Sequence, residues 1–190
     1  MTSTSQTVSF TAMEHGTRED YEFLGSLEEG EMQGFPDRVL DWLRTMHDSA
    51  GYQISRLDHS LQAATRAHRA GEDEETVVCV LLHDIGDYLA PANHSEVAAA
   101  VLRPYVSEKN YWIVKHHGLF QGVYYFHFVG ADPNARDRFK DHPYYQATID
   151  FCANYDQNSF DPAYDSEPLE FFEPMVHHVL ARPVNFESDT

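Results

Sequence analysis

Two metal-binding side chains, His83 and Asp84, stand side by side at the end of the apolar run Val77-Val78-Cys79-Val80-Leu81-Leu82. The run reads as a helix buried in a core, and its end delivers an imidazole and a carboxylate together. Adjacent helical residues point about 100° apart. They converge on a metal pair only if other ligands wrap around them, so the chain must bring distant segments to this one point. Suitable donors occur on both sides: His59 before the pair, His94 and the neighbours His116 and His117 after it, and Asp156 late in the chain. The order His, His-Asp, His, His, Asp makes six ligands of hard and borderline type. It suits two iron or manganese ions better than one structural zinc.

A single histidine is most often a packed or surface residue, and the chain has 12. His15, His47, His68, His127, His177 and His178 fit that plain reading. The case for His59, His83, Asp84, His94, His117 and Asp156 is joint. Each lies near the end of an expected helix or on its apolar side, and a helical bundle collects such residues from several helices. Between the adjacent histidines, His117 is the better placed. Ile113-Val114-Lys115 leads into it, and Gly118 is expected to end the helix just after. His116 stays open as the alternative.

With 190 residues, 42% of them hydrophobic, the chain has enough apolar surface for one core. We expect one domain over residues 16–190, preceded by a loose Ser/Thr leader over 1–15. The net charge of −18 excludes a nucleic-acid-binding face and disfavours anionic membranes. Cys79 and Cys152 are isolated, so no disulfide framework is indicated and a cytoplasmic setting is expected. No apolar run reaches the length of a membrane span, and the N-terminus has no signal-peptide character.

The fold expectation is all-α, with no clear period-two alternation anywhere. Thr17 is positioned to cap a first helix. Pro36 suits the first turn of a second. Further helices are expected over 57–70, ending at Gly71, over 72–84 and over 93–105. Another follows Ser107 into His116-His117. Residues 118–141 read as an aromatic-rich loop with a short charged helix at 135–140. Helices over 142–155 and 167–181 complete the chain.

The segments Leu57-Asp58-His59-Ser60-Leu61-Gln62, Leu82-His83-Asp84-Ile85-Gly86 and Tyr155-Asp156 resemble the HD-domain superfamily of metal-dependent phosphohydrolases, over about residues 52–180. The six-ligand pattern is similar to the di-metal branch, in particular the mixed-valent di-iron oxygenases that cleave organophosphonates. The resemblance implies an HD-type helical bundle around an Fe(II)/Fe(III) pair, with O₂ as co-substrate. It implies oxidative C–P cleavage of a 1-hydroxyalkylphosphonate, such as (1-hydroxy-2-(trimethylammonio)ethyl)phosphonate to glycine betaine and phosphate. Asp84 would bridge the metals, and Asp84 and His117 would take part in the chemistry. Phosphate-ester hydrolysis and a non-catalytic binding module are the competing readings.

For the substrate, the resemblance sets further expectations. Many HD phosphohydrolases carry lysine where this chain has Asp87, and a carboxylate there favours a cationic end. Phe120 and Tyr124, with Tyr52, Tyr125 and Phe126, offer rings for a quaternary ammonium group. Gln121 and Arg56 are candidates to hold the phosphonate, with Lys115, Arg136 and Lys140 as the other cations in view. Ser49 and Tyr52 fall near the positions where those oxygenases carry a gating Tyr and Glu, so the usual gating motif is not preserved. The expected partner is the small-molecule phosphonate, with self-association possible and no nucleic acid or membrane.

Overall fold

The computed structural model describes residues 6–49 and 51–184. It is all-helical, with no strand among the described residues. The all-α fold that the sequence led us to expect is the fold observed. Two compact units are distinguished, residues 1–35 and 36–190. In the first, helix α1 (Arg18–Gln33) starts at a capping box. The Thr17 hydroxyl accepts from the Asp20 amide, and the Asp20 carboxylate accepts from the Thr17 amide, which satisfies two otherwise orphaned donors.

The second unit begins within helix α2 (Phe35–Arg44), which buries Pro36, Val39, Leu40 and Leu43. Helix α3 (Arg56–Arg69) opens on a second capping box, Ser55 with Asp58. That explains the polar Asp58 next to His59: it caps the helix on one side while His59 turns inward on the other. Gly71, at φ +84°, ends the helix region as expected. Helix α4 (Glu74–Leu82) is capped by Asp73, and every residue from Thr76 to Leu82 is buried. A helix apolar on all sides belongs in the centre of a core. Burying each Val or Leu there contributes roughly 1.5–3 kcal/mol. Helix α3 packs on one side of α4, with α6 and α8 on others.

Helix α5 (His94–Leu102) packs along α6 (Glu108–Gln121), whose start is capped by Ser107. The expected aromatic loop contains three short 3₁₀ turns, at Gly122–Tyr124, Phe126–Phe128 and Ala135–Phe139. Helix α7 (Tyr145–Phe151) runs directly into a π turn, Cys152–Asp156. Helix α8 (Leu169–Leu180) closes the unit.

Three boundaries differ from expectation with consequences for the site. The helix expected to reach Asp84 stops at Leu82, and His83 to Leu89 continue as tight turns. Helix α6 does not stop at Gly118 but runs to Gln121. The expected helix over 142–155 is α7 plus a π turn.

Candidate metal centre and its cleft

All six expected ligands converge. Each histidine is oriented by its own Nδ1, which faces a backbone carbonyl: Ser159 O for His59 (2.9 Å), Val80 O for His83 (2.7 Å), Val114 O for His117 (2.7 Å) and Pro91 O for His94 (3.4 Å). A carbonyl only accepts, so the N–H must sit on Nδ1 and each Nε2 turns a lone pair inward.

Asp84 sits in the middle, with its two oxygens facing different histidines. Oδ2 lies 3.5 Å from His59 Nε2 and 3.4 Å from His83 Nε2. Oδ1 lies 3.4 Å from His94 Nε2 and 3.1 Å from His117 Nε2. Asp156 completes the first group, with Oδ1 3.4 Å from His59 Nε2 and 3.7 Å from His83 Nε2. Two overlapping groups result: His59, His83 and Asp156, and His83, Asp84 and His117.

The donor set fits metal ions. Ligand atoms about 2.0–2.2 Å from a shared ion stand roughly 3.0–3.5 Å from one another, close to the spacings above. The Nε2 atoms of His59 and His83 are 3.2 Å apart. With both Nδ1 atoms protonated, two lone pairs face each other there, an arrangement that calls for a positive charge between them. The electrostatics agree. Burial disfavours charge on His59, but Asp156 and Asp84 outweigh it, and its pKa lies above the ordinary imidazole value. His83 behaves the same way, with burial opposed mainly by Asp84 and then Asp156. Burial likewise opposes ionisation of Asp84 and Asp156, yet the surrounding histidines hold both carboxyls well below their usual range.

Two glycines let these segments close up. A Cβ on Gly86 would lie 2.5 Å from the His94 carbonyl oxygen and 2.8 Å from Val97 Cβ. The turn carrying Asp84 therefore approaches the start of α5 only because residue 86 has no side chain. Gly118 does the same on α6, where a Cβ would meet Ser95 Oγ at 2.8 Å and His94 Nε2 at 3.4 Å. On the far side, the π turn brings Asp156 in. Gln157 N bonds back to Cys152 O, the Cys152 thiol donates to the His117 carbonyl, and the Tyr155 hydroxyl donates to Glu72. The Gln62 side chain exchanges two hydrogen bonds with the backbone of Asp161, tying the segment after Asp156 to α3.

The centre opens into a cleft of about 360 Å³. His59, Asp84, His94, His117 and Asp156 line it, with Arg56, Asp87, Gln121, Tyr52, Tyr124, Tyr125 and Phe160. His116 does not line it: that ring stacks on Trp112 at 4.1 Å, with His142 at 4.0 Å from the same Trp112 ring. Of the two neighbours, it is His117 that faces Asp84.

The substrate expectations are partly redrawn. Phe120 is a correction: it is fully buried, absent from the cleft, and packed against Trp112, Phe139 and Tyr145. The reason is helical phase. Gln121 and Phe120 flank the direction of His117 on opposite sides, about 100° apart, so that Gln121 falls toward the cleft while Phe120 is turned into the core. Asp87 does reach the cleft, through a turn in which its amide bonds to Asp84 O, not along a continuing helix. Its carboxylate accepts from Arg56 Nε, so the charge read as free for a cation is paired. Asp48 lies 3.5 Å from Arg56 Nη1. Tyr52 stands at the exposed edge, stacked on Phe160 at 4.9 Å, and Phe160 in turn stacks on His59 at 4.5 Å. The sequence alone does not single out Phe160 or the Ser159 carbonyl. Neither carries a local signal, since a loop phenylalanine and a backbone oxygen gain their roles from the fold alone.

Residues 56–147 match the family model of the HD domain. HD domains form a superfamily of metal-dependent hydrolases and oxygenases that bind divalent metals. The matched span of the HD domain contains His59, His83, Asp84, His94 and His117, while Asp156 lies beyond its end. No curated protein matches the chain. No helix among the described residues is long and apolar enough to cross a membrane.

Proposed function

We propose that this chain is a di-iron, O₂-dependent oxygenase that cleaves the C–P bond of a 1-hydroxyalkylphosphonate. The observation that carries the reading is the division of Asp84, one oxygen toward His59 and His83 and the other toward His94 and His117. A carboxylate so placed would hold two ions together, and His59, His83 and Asp156 would hold one while His94 and His117 would hold the other. Four imidazoles and two carboxylates suit iron. When bound, the pair would supply O₂ activation and removal of hydrogen from the hydroxyl-bearing carbon. The balance is simple: one O₂ and one hydroxyalkylphosphonate dianion give a carboxylate, hydrogen phosphate and one proton.

The chain's own residues orient the substrate. Arg56 has Nε on Asp87 and Nη1 near Asp48, and its remaining guanidinium N–H groups would serve the phosphonate. The rings of Tyr52, Tyr124, Tyr125 and Phe160 give the cleft walls suited to a trimethylammonium group. The favoured substrate is therefore (1-hydroxy-2-(trimethylammonio)ethyl)phosphonate, with glycine betaine and phosphate as products. With Asp87 paired, the support for its cationic end rests on the rings.

The test is product formation by iron-loaded protein with and without O₂, alongside EPR of the same sample. Turnover that stops under strict anoxia, with a half-integer-spin signal from a mixed-valent pair, supports the oxygenase. Equal turnover without O₂ overturns it and leaves phosphate-ester hydrolysis.

A further inference from the structure

The side chain of Gln121 makes one hydrogen bond and withholds another. Its Nε2 donates to Asp156 Oδ1 at 3.0 Å. Its Oε1 is buried and has no partner, although the residue lines the cleft. The amide cannot be turned the other way. An ionised carboxylate only accepts, so the nitrogen must face Asp156 and the buried oxygen stands on the other side of the amide. A buried acceptor left unmatched is costly, and a ligand that supplies the donor recovers that cost. We propose that Gln121 Oε1 receives a hydrogen bond from a hydroxyl on the ligand, and so selects hydroxyl-bearing ligands over those without one. The proposal deepens the oxygenase reading and rests on it for the substrate class. It also reverses the role expected for this residue: the amide offers the cleft an acceptor, which would repel a phosphonate oxygen.

Two ligand pairs that differ by a single hydroxyl test it. The first is hydroxymethylphosphonate against methylphosphonate. The second is glycolate against acetate, which contains no phosphorus. Binding to the iron-loaded protein is measured by anoxic calorimetry, with metal content measured on each sample. The informative variant is Gln121→Lys, whose ammonium can still donate to Asp156 but accepts nothing. Its added charge acts on both members of a pair, so the ratio of affinities isolates the hydroxyl. Gln121→Met, which lacks both donor and acceptor, is the second variant.

The expected result is a wild-type preference for the hydroxylated member that falls roughly tenfold or more in both variants. Whatever preference remains reflects the hydroxyl's contact with metal. An unchanged ratio in either variant that retains its iron overturns the proposal, as does the absence of any hydroxyl preference in the wild type. If neither phosphonate binds while glycolate keeps a Gln121-dependent advantage over acetate, the acceptor stands and the phosphonate reading fails.

Discussion

At the scale of single residues, Asp84 is unlike the other five ligands because it faces both histidine pairs. Its removal should therefore differ in kind from theirs. Asp84→Ala is expected to bring metal content from two ions per chain to none, whereas His94→Ala should leave the ion on the His59 side. Elemental analysis after gel filtration distinguishes these outcomes, and two irons retained by Asp84→Ala would exclude the bridge. Arg56 and Asp87 form the other informative pair. Both are mostly shielded from water, so Arg56→Gln and Asp87→Asn should couple by on the order of 1 kcal/mol in a double-mutant cycle of thermal stability. Additive effects would mean that the ion pair contributes nothing. The six donor residues that converge could be singled out in the sequence because their chemistry is local to the side chain. The partner of Asp87 was not, since Arg56 precedes it by 31 residues and only the fold sets them together.

At the scale of elements, close approach decides more than helix propensity. Gly86 faces a backbone carbonyl that cannot rotate away, so Gly86→Ala should cost roughly 1–3 kcal/mol and weaken the His94 side of the centre first. Gly118 faces the end of the Ser95 side chain, which can move, and Gly118→Ala should be milder. Denaturant unfolding together with metal content checks the order, and equal losses at the two sites would refute it. The helix starts at Thr17 and Ser107 and the stop near Gly71 were readable because capping chemistry lies within a few residues. The end of α4 at Leu82 was not, because what stops it is packing of the next turn under α5. The π turn at Cys152–Asp156 was equally hidden. Its bonds shift by one residue relative to an α-helix, and contacts to Glu72 and His117 hold that shift in place.

At the scale of the whole molecule, the centre ties α3, the turn after α4, α5, α6 and the π turn together, so metal and fold should be thermodynamically linked. The direction with pH follows from His59 and His83, whose pKa values in the metal-free chain lie above the ordinary one. Protonation of these two adds stability that is complete below the ordinary imidazole pKa and lost as pH rises through the raised values. Metal replaces those protons. Adding Fe(II) anaerobically should therefore raise the Tm more at pH 8 than at pH 6, and binding near neutrality should release protons into the buffer. A Tm gain that is larger at pH 6 would contradict this. The all-helical architecture was legible from apolar periodicity, while the division into units at residues 35 and 36 had no sequence marker that we recognised. The distribution of ligands along the chain also implies an order of assembly. Asp84, His94 and His117 are synthesised well before Asp156, so a growing chain has the donors of the His94 side in hand while the other side still lacks its last carboxylate. Loading should accordingly be stepwise, with the His94 side able to capture an ion on the ribosome and the pair completed only after the π turn has emerged.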